Sequence, residues 1–293
     1  MSTEAADPRF ADLDAWPTAR AVEAMWKGQM EALAAVEQAL PRITAAAEAA
    51  ALRLGSAGRL IYAGAGTSGR IAVQDGAELG PTFGWPGERL VFAMAGGETA
   101  LIRSVEDAED DAADGAARIS AASVGQGDVL IGVSASGSTP FTLAAITEAR
   151  KRGALTIGLA CNPATPLLSA AECPVLLDTG SEVLAGSTRM KAGTAQKTAL
   201  NLISTSVMIR LGRVYKGLMV DMQLSNAKLR KRAQKMVASL AGCGEVKAAD
   251  ALAESGGQIK AAVLVAQGRS VDEACRLLAA HGGNLRRVIE QIS

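Results

Sequence analysis

The sequence predicts an α/β protein with a doubly wound, five-stranded parallel sheet flanked by helices, followed by a small all-helical C-terminal domain. Three observations carry that prediction. Five short runs are apolar on both faces and separated by segments of helical length, as in strand-helix-strand units covered on both sides. Two of these runs end in Gly/Ser/Thr loops that open helices. After residue 226 the texture changes to short helical segments broken by Gly-Gly pairs. We therefore divide the chain into residues 1–225 and 226–293.

In chain order, residues 1–17 are polar and proline-punctuated and read as an extended arm ending near Trp16-Pro17. From Thr18, Val22, Met25, Met30, Leu33, Val36, Leu40 and Ile43 recur at near-helical spacing within an alanine-rich stretch, so one or two long helices precede the first strand. That strand is the run Arg59–Tyr62 leading into Gly64. The further strands are Arg89–Met94, Asp128–Ser134, Ala154–Ala160 and Pro174–Leu177. Right-handed crossovers between them give the doubly wound sheet, whose ligands bind beyond the carboxyl ends of the strands. A helix is expected over Ser187–Leu211, and the basic stretch Lys228–Arg232 reads as a solvated helix face. In the tail, Asp250–Val263 and Cys275–Val288 echo each other as helix, Gly-Gly stop, helix, and His281 reads as a helix C-terminal residue.

Composition narrows the chemistry. Lys plus Arg and Asp plus Glu are both 30, so net charge offers no argument for nucleic acid or an anionic membrane, and an anionic ligand has to be held locally. Cys161, Cys173, Cys243 and Cys275 form no C-x-x-C pair and His281 is the single histidine, which speaks against a zinc site, a disulfide framework or Cys/His catalysis. No metal and no cofactor is expected. The N-terminus lacks a signal-peptide profile and no apolar run approaches the roughly 20 residues that span a bilayer, so the expectation is a cytoplasmic protein without a membrane partner.

The motifs converge on an anion. Gly64-Ala65-Gly66-Thr67-Ser68-Gly69-Arg70 follows a strand and places hydroxyls where a helix starts. Glycines allow close backbone approach, and a helix N-terminus favours negative charge. The run matches G-x-G-x-x-G only weakly in context, since no acidic residue ends the next strand, and no Walker sequence is present. The second loop, Ser134-Ala135-Ser136-Gly137-Ser138-Thr139-Pro140, has Pro140 placed as a first helical residue with Thr139 or Ser138 as its cap. A third constellation, Gly180–Thr194, would set Arg189 and Lys191 in the first turn of a helix capped by Ser187 or Thr188. Cations there oppose the helix dipole at about 0.3–1 kcal/mol, which implies a nearby anion or carboxylate. General acid/base work falls to Asp or Glu. Spacing alone reads Glu78 as an exposed residue at a helix end and Glu106–Asp111 as a solvated face.

Gly64–Arg70, Glu78-x-x-Pro81-Thr82, Ala95-Gly96-Gly97-Glu98, Val105-Glu106-x-Ala108-Glu109-Asp110, Ser134–Pro140 and Gly186-Ser187-Thr188-Arg189-Met190-Lys191-Ala192-Gly193-Thr194 together resemble the N-acetylmuramic acid 6-phosphate etherases. These are sugar isomerase (SIS) domain enzymes related to the glucokinase regulatory protein, and the resemblance runs from about Thr3 to the C-terminus. It implies cleavage of a lactyl ether to N-acetylglucosamine 6-phosphate and D-lactate by elimination and hydration, in a homodimer with the active site near the interface. It places the acid on Glu78 and a candidate base at C2 on Glu109. Ser134, Ser136, Gly137, Ser138 and Thr139 then resemble the phosphate cradle, with Thr67 and Ser68 lining the sugar site and Lys191 or Arg70 available to the phosphate. Three positions depart from the family pattern: Leu79-Gly80-Pro81 where Cys-Pro-Pro is usual, Ser138 where Arg is common, and Ala185 where Thr is common. The competing readings are a non-catalytic sugar-phosphate sensor and, behind it, an aldose-ketose isomerase.

Overall fold

A computed structural model, describing residues 2–292, has the five parallel strands in the order β2-β1-β3-β4-β5. They are β1 (Leu60–Gly64), β2 (Leu90–Met94), β3 (Val129–Val133), β4 (Leu155–Ala160) and β5 (Cys173–Leu176). Each begins or ends within two residues of the stretch its apolar run marks. The three central strands are buried along their whole length, whereas β2 and β5 are partly exposed, as edge strands. Strand order reverses at β1, whose neighbours are β2 and β3; such switch points are where doubly wound sheets bind ligands. In the β1–β3 register Gly64 pairs with Val133, so the loops following these two strands start at the same level.

The chain separates into two compact units, Met1–Gly76 with Glu88–Ser206 and Ala77–Gly87 with Val207–Ser293. The first contains the sheet. One 37-residue helix, α1 (Thr18–Leu54), precedes it, with Pro41 inside. Its alanine-rich face is buried through Ala32, Ala39, Ala46 and Ala50. That burial outweighs the one backbone bond a proline removes. The N-terminal arm differs from the extended segment expected. It is folded into 3₁₀ turns at Pro8–Phe10 and Leu13–Ala15, and Thr3 and Asp7 are buried. Asp7 caps the first turn, is bound by the Arg9 guanidinium, which holds its carboxyl well below the usual carboxylate range, and accepts from Ser181 Oγ at 3.0 Å. The remaining helices of this unit are the first part of α2 (Gly66–Phe83), α3 (Ala112–Ala121), α4 (Pro140–Lys151), the short α5 (Pro166–Ala170) and most of α6 (Lys191–Arg210). Between α4 and the sheet, Ile61, Ala63, Leu130, Ala145, Ile146 and Ala149 form a close-packed apolar cluster.

The second unit holds the end of α2, a short hairpin of β6 (Val214–Tyr215) and β7 (Leu218–Met219), and five helices: α7 (Ala227–Ala241), α8 (Glu245–Glu254), α9 (Ile259–Ala266), α10 (Val271–Ala280) and α11 (Leu285–Ile292). The internal echo is real: α8 and α10 each stop at a Gly-Gly pair, Gly256-Gly257 and Gly282-Gly283, all at positive φ, and another helix follows each. Their shared core is built from Ala233, Val237, Ala262, Val263, Leu264 and Val288. Lys260 and Asp221 form a largely buried ion pair that joins α9 to the turn following β7. His281 ends α10, as expected, and its ring meets Gln291.

Candidate active site

Two helix N-termini open onto one cavity of about 540 Å³ at the switch point. Its wall includes Ala65, Gly66, Thr67 and Ser68 at the start of α2, and Ser136, Ser138, Thr139 and Pro140 at the start of α4. The other sides are Glu109 and Asp110, Gly186 and Thr188, and Glu4. Among the described residues no lysine or arginine lines it. What the cavity offers a ligand is backbone N–H groups, hydroxyls and the positive ends of two helices, features that favour negative charge.

The loop after β3 links its hydroxyls in a run from Thr139 through Ser134 and Ser136 to Ser138, which curls into an open ring. Ser134 Oγ, buried at the strand end, lies 2.9 Å from Thr139 Oγ1 and 3.2 Å from Ser136 Oγ, and accepts from the Gly137 amide at 3.1 Å. Ser136 Oγ in turn accepts from the amide and hydroxyl of Ser138, each at 3.2 Å. Gly137 has φ +70°, and a side chain there would collide with Thr165. Outer ties hold the ring, since the Cys161 amide donates to Ala135 O at 2.9 Å and the Leu167 amide to Gly137 O at 3.0 Å. Thr139 is the residue before α4 and Pro140 its first residue, as the sequence predicts. Ser134, Ser136, Gly137, Ser138 and Thr139 are therefore one structural object.

Across the cavity, Ser68 is buried and donates to Gln196 Oε1 at 3.0 Å, while Thr67 is half-buried on the wall. Further along α2, the buried Asp75 accepts from Tyr62 Oη at 2.7 Å, Asn201 Nδ2 at 2.6 Å and Ser204 Oγ at 3.1 Å, which locks α2 to β1 and α6. Burial pushes the Asp75 carboxyl above its ordinary range, against those three donors. Arg70 is committed elsewhere: its guanidinium donates to Ala100 O at 2.9 Å and Arg103 O at 3.4 Å.

The acidic run Glu106–Asp111 is not the face of a helix. It forms an exposed turn, with Asp107 at φ +58° and Asp111 capping α3 through the Asp114 amide at 2.8 Å. The Phe141 amide donates to Glu109 O at 3.0 Å, so this turn is tied to the first turn of α4 and Glu109 and Asp110 stand on the cavity wall.

Two expectations fall differently. The helix expected from Ser187 begins at Lys191, because Ser187–Met190 form turns after Gly186 at φ +73°, and neither Ser187 nor Thr188 caps it. The cap is Glu182, fully buried, whose carboxylate accepts from the amides of Lys191 at 2.9 Å and Ala192 at 3.0 Å. A carboxylate is thus held near this first turn, as expected, but it meets the backbone amides, and of the two cations expected there only Lys191 is in the helix. Burial raises the Glu182 pKa, opposed by those two N–H groups. Lys191, in turn, is not on the cavity wall: its Nζ binds Glu31 Oε2 at 2.6 Å and Ser181 O at 3.0 Å, and the residue is buried. Glu78 is exposed on α2, eleven residues beyond Thr67, a span of about 16 Å at ~1.5 Å per residue. It belongs to the second unit and is not among the residues lining this cavity.

Sequence reasoning missed Glu4 and the wall formed by Gly186 and Thr188. Glu4 reads as part of a polar tail; the one signal for it is its place in the stretch from Thr3 onward that shares the family pattern.

A parallel sheet with a hydroxyl ring and a glycine turn at its switch point defines a SIS-type protein. Residues 42–150 match the glucokinase regulatory protein N-terminal SIS domain and residues 108–206 match the SIS domain. A phosphoheptose isomerase from Neisseria gonorrhoeae shares the fold, with a TM-score of 0.50 and 20% identity over 66% of this chain and 98% of the isomerase. More specifically, the chain belongs to the N-acetylmuramic acid 6-phosphate etherase family. It is 49% identical over 288 residues to the N-acetylmuramic acid 6-phosphate etherase of Deinococcus radiodurans, covering 98% of this chain and 94% of the relative. It is 47% identical over 290 residues to that of Rubrobacter xylanophilus, covering 99% and 96%.

Proposed function

We propose that this protein is a carbon-oxygen lyase that cleaves the D-lactyl ether of N-acetylmuramic acid 6-phosphate to N-acetylglucosamine 6-phosphate and D-lactate, in peptidoglycan recycling. The observation that carries the reading is near-full-length identity to etherases at 49%, combined with a cation-free cavity built to hold an anion through hydroxyls and helix ends.

In the open-chain sugar the aldehyde acidifies the C2 proton. A base takes that proton, the electron pair forms the C2–C3 double bond, and the C3–O bond breaks toward lactate, which is protonated as it leaves. Water then adds to the enal, oxygen to C3 and hydrogen to C2. We assign the base to Glu109, which stands on the cavity wall beside the hydroxyl ring, and, on the family resemblance alone, the acid to Glu78, which lies outside that wall. The phosphate is read as seated on Ser134, Ser136, Gly137, Ser138 and Thr139, with Thr67 and Ser68 along the sugar. Lys191, whose Nζ is engaged by Glu31 Oε2 and Ser181 O, ties α6 to α1 and to the segment before it and is left out of the phosphate seat.

The same reading takes the protein as a cytoplasmic homodimer with its active sites near the interface. A stripe on α1 supports the dimer: Val22, Trp26, Met30, Leu33 and Leu40 share one face and are exposed, Trp26 at 63%. No helix among the described residues is long and apolar enough to cross a membrane.

Purified protein is expected to release D-lactate from N-acetylmuramic acid 6-phosphate, and Glu78→Gln to abolish that release. Glu109→Gln is expected to suppress solvent deuterium exchange at C2. Thermal protection by the sugar phosphate with no lactate formed would replace the lyase by a sensor.

A further inference from the structure

The N-terminal arm is anchored twice, and between the anchors it presents one carboxylate to the cavity. Thr3 is fully buried: its amide donates to Asn162 Oδ1 at 2.9 Å, its hydroxyl accepts from Asn162 Nδ2 at 3.0 Å, and its carbonyl accepts from the Gly186 amide at 3.2 Å. The second anchor is Asp7, buried against Arg9 and Ser181. Glu4 lies between them, exposed on the cavity wall, and its carboxylate has no hydrogen-bond partner among the described residues. Gly186 makes room for it: a methyl group at that position would stand 3.0 Å from Glu4 Oε2. Ordering a polar tail costs about 1–2 kcal/mol per residue of backbone entropy, and two buried polar anchors offset that cost around a single side chain that does nothing for the fold.

We infer that Glu4 is a substrate-binding residue, whose carboxylate accepts a hydrogen bond from a neutral donor of the bound sugar, a hydroxyl or the acetamido N–H. This rests on the phosphosugar reading of the cavity. An ionised carboxylate is acceptor-only, so its partner carries a proton, and the phosphate, an anion, is excluded as that partner. Asn162 supports the division of labour. Besides holding Thr3 it reaches Ser136 O at 3.5 Å, so the arm and the phosphate ring share one anchor and keep a set separation. Glu4 thus recognises the sugar body, whereas the ring recognises the phosphate.

The test is binding by the full-length protein and its Glu4→Gln variant, measured calorimetrically with N-acetylglucosamine 6-phosphate, glucose 6-phosphate and inorganic phosphate. The variant is expected to bind N-acetylglucosamine 6-phosphate about 10- to 100-fold more weakly, the loss of one charge-assisted hydrogen bond, with phosphate affinity unchanged and an unchanged melting temperature. A matching loss with glucose 6-phosphate identifies a hydroxyl as the donor, and a loss confined to the acetamido sugar identifies the N–H. Unchanged sugar-phosphate affinity overturns the inference, as does a parallel loss of phosphate affinity, which would make the arm a prop for the ring. Because these ligands need no turnover, absence of lactate release by the wild type would refute the lyase reading alone. Failure of the wild type to bind any of the three refutes both.

Discussion

Replacing Glu182 by alanine removes the cap of α6 from inside the protein. Two amides, those of Lys191 and Ala192, lose their acceptors at 2.9 and 3.0 Å in a place where the side chain itself is 0% exposed, so water does not simply take over. Losing a helix N-cap costs about 1–2 kcal/mol, and leaving buried donors unpaired costs about 1–3 kcal/mol each. Against this, the wild type holds a carboxylate whose raised pKa records the cost of burying its charge, and the variant is relieved of it. The balance is a destabilisation of about 2–4 kcal/mol, or roughly 5–15 °C in melting temperature at this chain size. Glu182→Gln retains one acceptor and loses the charge, so it is expected to cost only about 1 kcal/mol. Urea unfolding followed by circular dichroism gives both values. An alanine variant within about 0.5 kcal/mol of wild type would show that the two amides find other acceptors and would refute the capping argument.

Asp75→Asn keeps an acceptor oxygen for Asn201 and Ser204 and turns an N–H2 toward the Tyr62 hydroxyl, which then accepts, while it removes a carboxyl whose native pKa is raised by burial. A raised native value means the folded state holds the proton longer, so the group's stabilising contribution is full below its ordinary pKa of 3.8 and is lost as pH rises through the native value. Relative to wild type, the variant is expected to gain stability between pH 4 and pH 7 in parallel urea titrations, and a relative loss over that range would contradict the assignment. Gly137→Ala places a methyl group against Thr165 at a positive φ, and is expected to weaken inorganic phosphate binding at least tenfold in calorimetry by opening the hydroxyl ring. In the second unit, Lys260→Met strands Asp221 with only Arg213, 3.9 Å away, and is expected to cost about 2–3 kcal/mol because the pair is not wholly buried. Adding Asp221→Asn to that variant is expected to recover part of the loss, which a double-mutant cycle measures.

What was legible in the sequence is what short-range pattern encodes. Five apolar runs, their spacing and the two hydroxyl loops give the sheet, and Thr139-Pro140 gives the start of α4, because the strand core and the first turn of a helix each depend on neighbours a few residues away. The bonds that hold the cavity in place do not depend on near neighbours. Thr3 meets Asn162 across 159 residues and Lys191 meets Glu31 across 160. No periodicity announces such pairs, so the arm read as a tail and Lys191 as a phosphate contact. The start of α6 failed for a related reason: the best cap by residue type, Ser187-Thr188, lost to a glutamate nine and ten residues upstream of the amides it binds, in a buried setting that propensity does not register. The electrostatic argument made there held in part: Arg189 lies outside the helix, the Lys191 ammonium finds its carboxylate in Glu31, and Glu182 meets the backbone amides of the first turn. The same reasoning explains the cavity. With Lys191 and Arg70 both turned to internal partners, no cation among the described residues lines it, and the phosphate seat proposed above consists of two helix N-termini and linked hydroxyls. Neutral donors of this kind leave the wall free to carry three carboxylates, Glu4, Glu109 and Asp110, whose charges a lysine or arginine in the cavity would have engaged in ion pairs. On the assignment of Glu109 as base proposed above, that arrangement leaves its carboxylate a lone pair for the substrate.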